Sequence, residues 1–197
     1  MNTKLKARFK ARKTTAPVVT TTTKVSVFTS QVPIIPAGPD GGGVPNLSMV
    51  FKSTTAGNIT KAGFYRQAAI MGIGHIARIY NLAGTLLGEV VFTSEDPSFS
   101  GWDFRAFAKK IPIAANTPYM VAVTFLNSIY AAANTSNGDT VNFSGPITNG
   151  VLTAYQDGGD GSTYTGANGR FDYSPTPIFP ASTFHSANYW VDIVLEY

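Results

Sequence analysis

From Asn46 onward the chain is a succession of short apolar or alternating runs, each closed by a turn signal within ten residues. The runs fall at 47–52, 59–67, 75–82, 85–94, 102–107, 111–113, 119–126 and 189–195. Ala83-Gly84, Asn116-Thr117-Pro118 and Asn137-Gly138-Asp139 lie between them as turn signals. Several short strands punctuated this way predict an all-β sandwich or jelly roll. The 19 glycines, 12 prolines and low charge of 13% point the same way, to many turns rather than to helices. Tyr-Met-Val-Ala-Val-Thr-Phe-Leu at 119–126 is the strongest core strand. Residues 127–188 read mostly as loop, rich in Gly, Asn, Ser, Tyr and Pro. A stretch that long either carries function or covers a sheet edge.

Ahead of this body sits a segment of different character. The first 24 residues hold seven basic side chains and no acidic one: Lys4, Lys6, Arg8, Lys10, Arg12, Lys13 and Lys24. Residues 25–197 keep eight basic against eleven acidic groups, so the net +4 is a positive arm on a slightly negative body. Lys4, Lys6, Arg8, Lys10 and Arg12 alternate with Leu5, Ala7, Phe9 and Ala11. In an extended chain, period 2 puts those charges on one face and the apolar groups on the other; on a helix they would scatter. The expected organisation is a basic extended arm at 1–24, a linker at 25–45 able to supply a first strand, and a β-sandwich domain at 46–197. No run approaches the roughly 20 apolar residues of a membrane span. Thr14 to Lys24 is polar where a secretory signal needs its apolar stretch, so no signal peptide is expected.

The order of local motifs resembles a known family. It runs through Leu47-Ser48-Met49-Val50-Phe51, Gly63-Phe64-Tyr65-Arg66, Gly84-Thr85-Leu86-Leu87-Gly88, Ser100-Gly101-Trp102 and Asn116-Thr117-Pro118-Tyr119. It then passes Asn168-Gly169-Arg170-Phe171 and ends at Asn188-Tyr189-Trp190-Val191-Asp192. Over residues 46–197 this is similar to a bacterial and phage β-sandwich domain of unknown function. That domain is found in surface and secreted proteins, often beside Ig-like and glycan-active modules. The resemblance implies a non-enzymatic, adhesive or carbohydrate-module-like domain, and it supplies no ligand and no agreed binding residues.

The residues themselves give little to catalysis. There is no cysteine, and the two histidines, His75 and His185, stand apart. Ser186, His185 and Asp192 make a triad on paper only, because no nucleophile elbow surrounds the serine. A zinc site would need three or four ligands, which the chain does not easily supply. Asp157-Gly158-Gly159-Asp160-Gly161-Ser162 offers Asp157 and Asp160 as weak Ca²⁺ candidates outside any EF-hand register, and the plain turn is the favoured reading. His75 reads as structural, and Trp102 and Trp190 as core. Tyr130, Tyr155, Tyr164 and Tyr173, with His185, form the expected ligand or partner surface, since rings with a polar end stack on sugars and anchor interfaces. The alternative is that they pack on the sandwich edge.

An adhesive sandwich with no export signal and a one-faced basic arm suggests a virion protein assembled in the host cytoplasm. The leading expectation is a phage structural protein that decorates the capsid or forms part of a tail or fibre. Its arm, through Lys4, Leu5, Lys6, Arg8, Phe9, Lys10, Arg12 and Lys13, would dock on other virion proteins, and homo-oligomers are expected. Two other readings stand beside it. One is a jelly-roll coat whose arm binds packaged nucleic acid. The other is a carbohydrate-binding module that recognises cell-surface glycan.

Overall fold

The computed structural model describes residues 21–67, 74–93 and 99–197, and among them every regular element is a strand. In chain order these are β1 (Lys24–Val25), β2 (Gly38–Pro39), β3 (Pro45–Ser53), β4 (Gly57–Arg66), β5 (Ile76–Asn81), β6 (Leu86–Val91) and β7 (Gly101–Ile113). They continue as β8 (Tyr119–Thr124), β9 (Ile129–Tyr130), β10 (Ile147–Asn149), β11 (Leu152–Ala154), β12 (Arg170–Tyr173), β13 (Ser182–Thr183) and β14 (Val191–Glu196). One sheet runs β1-β14-β4-β7. A larger one runs β10-β11-β3-β8-β5-β6, with β12 on β3 and β13 on β12, and β2 pairs with β9 apart from both. All pairings are antiparallel and neither large sheet closes on itself, so the fold is an all-β sandwich.

Strand periodicity sorts the residues between two cores. Leu47, Met49 and Phe51 of β3 and Val121 and Val123 of β8 meet Ile59, Phe64 and Ile193 of the facing sheet in the main core. The alternate residues Val50, Met120 and Ala122 point the other way. There they are covered by Tyr155 and Tyr164, with Phe179 partly buried at the margin. β8 is therefore buried on both faces, which is why its sequence is a continuous apolar run rather than an alternation. The irregular region between β11 and β14 supplies that second cover.

On the edge of β3, β11 pairs with Phe51–Ser53 and β12 with Pro45–Leu47. Val50 falls in the gap. The Asn168 side chain fills it, accepting from the Val50 N–H at 2.7 Å and donating to the Val50 carbonyl at 3.0 Å. A single amide thus does the work of a missing strand residue, and no buried backbone group is left orphaned there.

Two expectations change. Residues 102–107 and 111–113, expected as separate strands, belong to the single strand β7. Opposite it, Ile59 pairs with Ile111 but Lys61 already pairs with Ala106, so residues 107–110 bulge out of the ladder. The bulge explains the break in apolar pattern. The linker expected at 25–45 is instead part of the sandwich. Val25 pairs with Leu195, and Val27 and Phe28 are fully buried, the Phe28 ring stacked on Trp102 at 5.4 Å. Their N–H groups donate to the two carboxylate oxygens of the fully buried Asp192 at 3.0 and 2.9 Å. Apolar side chains and a buried acceptor hold this segment down, and the body begins near Thr23, not at Asn46.

A buried ion pair braces the smaller sheet. Arg66 donates from Nε to Asp103 Oδ2 at 3.0 Å, and Arg105 pairs with the other oxygen. Removing Arg66 leaves the buried Asp103 carboxylate, among the described residues, with only the partly exposed Arg105 as counter-charge, so Arg66→Met is expected to cost about 3 kcal/mol in urea denaturation. A loss below about 1 kcal/mol would mean the pair behaves like a surface salt bridge.

Candidate functional site

A groove of about 450 Å³ opens where the 35–41 segment meets β9, β12 and the approach to β14. The pairing of β2 with β9 fixes one wall, and Asp40 N–H donates to the Ser128 carbonyl at 2.8 Å. This places the Asp40 carboxylate at the centre. Its Oδ2 accepts from the Tyr130 hydroxyl at 2.7 Å and from the Tyr173 hydroxyl, and its Oδ1 accepts from the Gly42 N–H at 2.9 Å. Phe171 stands edge-to-face with Tyr173 and Tyr189 with Tyr130, both at 5.7 Å between ring centres. The Tyr173 ring packs close to Gly42: a Cβ at that position would lie 2.4 Å from the ring and would push it aside. Tyr173 keeps 42% of its surface exposed, and Phe184 at the rim keeps 50%.

The electrostatics are simple. Burial works to raise the Asp40 pKa, but the hydrogen bonds from Tyr173, Tyr130 and Gly42 outweigh it and leave the carboxyl below its ordinary value. Desolvation, then the bond to Asp40, pushes Tyr173 up to about 12, and the same causes raise Tyr130. Desolvation also raises Tyr189. The carboxylate is therefore ionised and the phenols neutral across the physiological range. Neither kind of group is poised near neutrality, which suits recognition better than proton transfer.

The tyrosines expected to form one contact surface divide. Tyr130 and Tyr173 converge on the groove. Tyr155 and Tyr164 are buried at 1% and 8% exposure, on the outer face of the larger sheet, and are not surface anchors. Their hydroxyls bond internally, Tyr155 to Thr163 at 2.6 Å and Tyr164 to the Ala167 carbonyl. His185 is exposed, its ring edge-on to Phe184 at 4.2 Å, just outside the groove lining. His75 is fully buried and accepts the Leu126 N–H at 3.1 Å on Nδ1, a structural histidine. The arm residues Lys4 to Lys13 lie outside the described residues.

Asp157 and Asp160 are spent on loop closure rather than aimed at a common point. Asp157 accepts from the Asn168 N–H and the Ser186 hydroxyl. Asp160 accepts from the N–H groups of Ser162, Thr163 and Tyr164 and pairs with Lys52 at 2.6 Å. Lys52 first, then Thr163, holds its carboxyl far below the usual range. This is an Asx-type turn with a counter-ion, and among the described residues no cluster of metal-ligating side chains forms.

Sequence reasoning missed Asp40, Tyr189 and Phe184 as groove residues. Asp40 lay in a Pro- and Gly-rich run that reads as linker, while Tyr189 was visible only inside the Asn-Tyr-Trp-Val-Asp motif.

Fold and site together define an all-β sandwich module with a recessed aromatic groove on one side. Among the described residues no helix is long and apolar enough to cross a membrane. The chain belongs to the family described as a domain of unknown function (DUF4082), whose match spans residues 30–191 and so includes the whole groove. No curated protein matches the chain.

Proposed function

We propose that this chain is a non-enzymatic structural protein of a phage virion, decorating the head or forming part of a tail or fibre, with the basic arm attaching a displayed sandwich to the particle. The observation that carries this reading is the partition of charge. Six basic residues and no acidic one fall within the first twenty, against eight basic and eleven acidic groups in residues 25–197. The root of the arm supports it. Thr23 exchanges backbone hydrogen bonds with Tyr197, and Lys24 lies across from Glu196, so the chain leaves the sandwich from a fixed point on the edge of the smaller sheet. A segment whose basic residues alternate in sequence, joined to a chain that enters at a sheet edge, suits lateral attachment by strand addition or by charge.

The test is a variant lacking residues 1–20, which keeps β1 and its pairing intact. It is expected to melt at the wild-type temperature but to be missing from purified particles when co-expressed during assembly. Incorporation at the full-length level would overturn the proposal. Should the full chain instead bind duplex DNA with affinity that falls about 10³-fold between roughly 50 and 200 mM salt, the arm would belong on packaged nucleic acid, as in a coat protein.

A further inference from the structure

The groove at Asp40 holds five aromatic rings and one carboxylate, and among the described residues Asp40 is the only charged one in its lining. Its polar groups are largely committed to building it. Both Asp40 oxygens already accept hydrogen bonds. Asn137 gives its amide to the Ala132 carbonyl and accepts the N–H groups of Asn134 and Asp139. Asn134 accepts the Ser136 N–H. A sugar, which must be hydrogen-bonded from several sides, finds few partners here. A primary ammonium brings three donors, and with three of the carboxylate's roughly four acceptor sites already taken it can be matched there only in part. An anion meets a negative wall.

The charge, however, is not neutralised. Two hydroxyls and an amide hold Asp40 without cancelling it, and by donating to it Tyr130 and Tyr173 leave their own rings more electron-rich. Exposed ring faces beside a fixed negative charge attract a cation that needs no hydrogen bonds. The geometry points to a binding site for a quaternary ammonium group, the head of a choline-type cation, held against the exposed rings of Tyr173 and Phe184 with Asp40 as its counter-charge. This goes beyond the proposed role of the arm and does not depend on it.

The experiment titrates the full chain with choline and with its neutral isostere 3,3-dimethyl-1-butanol, following the tyrosine ring resonances by NMR. Choline is expected to saturate the signals of Tyr130 and Tyr173, with the isostere roughly tenfold weaker or more. Asp40→Asn is expected to remove that preference by weakening choline alone, and Tyr173→Ala to weaken both ligands, while Tyr173→Phe keeps the ring and most of the binding. Co-sedimentation with phosphatidylcholine vesicles separates the sources: vesicle binding that free choline competes away assigns a lipid head, and choline binding without it assigns a free molecule. Equal binding of choline and isostere to the wild-type chain overturns the inference whether or not a variant folds. So does saturation of the same signals by galactose at lower concentration, or no saturation by millimolar choline.

Discussion

Replacing Asp192 by alanine is expected to destabilise the sandwich severely, and more at pH 5 than at pH 8. Its two oxygens take the N–H groups of Val27, Phe28 and Ile193, all within buried backbone. Orphaning a buried donor costs about 1–3 kcal/mol, so losing all three, less some local relaxation, is expected to cost about 3–5 kcal/mol in mild acid. The pH dependence follows from burial, which outweighs those three hydrogen bonds and pushes the carboxyl up to about 7. The folded-state value lies above the unfolded one. The contribution of Asp192 to stability is therefore fully present below about pH 4, falls as pH rises, and is lost above pH 7. Between pH 5 and pH 8 that amounts to roughly 3 kcal/mol, because each pKa unit is worth about 1.4 kcal/mol. Urea melts at the two pH values should show the wild type losing stability towards pH 8 and Asp192→Ala losing far less. Asp192→Asn, neutral throughout, should fall below wild type at pH 5 and close on it at pH 8. Equal deficits for the alanine variant at both values would refute the linkage.

Asp192 also shows where the sequence stops being readable. The motif Asn188-Tyr189-Trp190-Val191-Asp192 stands out in the chain, yet a charged residue in a strand normally marks a solvent face. Its partners Val27 and Phe28 lie more than 160 residues away, and nothing local announces them. The strands themselves were legible because their signal is local: β3, β4, β5, β6 and β8 fall where apolar runs stop at turn residues. β14 is legible too, although only Val191 and Asp192 of the motif lie in it, and Asn188, Tyr189 and Trp190 form the approach. The cores behind them were only half legible. Tyr155 and Tyr164 sit among Gly, Asn and Ser and look exposed, because the outer face of the larger sheet that they cover exists only in the assembled fold. The groove was partly visible, through Tyr130 and Tyr173. Its central Asp40 was not, since a Pro-Asp-Gly-Gly run has the same composition whether it swings free or is tied down by two tyrosines.

The dipeptide Asn168-Gly169 is expected to be as sensitive as Asp192, for two separable reasons. Asn168 is fully buried and makes four hydrogen bonds with its amide: from the N–H groups of Val50 and Gly169, and to the carbonyls of Val50 and Tyr155. Asn168→Ala leaves the gap between β11 and β12 open and loosens the Tyr155 and Tyr164 cover, at an expected cost of about 3 kcal/mol or more. Hydrogen exchange should locate the damage, with the Val50 N–H losing protection while that of Val121, in the interior strand β8, keeps it. Gly169 fails differently. At φ +66° it occupies the left-handed region, and a Cβ there would lie 1.7 Å from the Ala187 carbonyl oxygen, which is backbone and cannot swing aside. Gly138 provides the control, with φ +81° and open space where its Cβ would be. Gly138→Ala should cost only the backbone strain, about 1–2 kcal/mol. Gly169→Ala must add the displacement of the strand approach carrying Ala187, and is expected to exceed the control by at least about 2 kcal/mol. Equal losses for the two alanine variants would show that the 169–187 contact yields, and that the asparagine alone holds this edge of the sandwich.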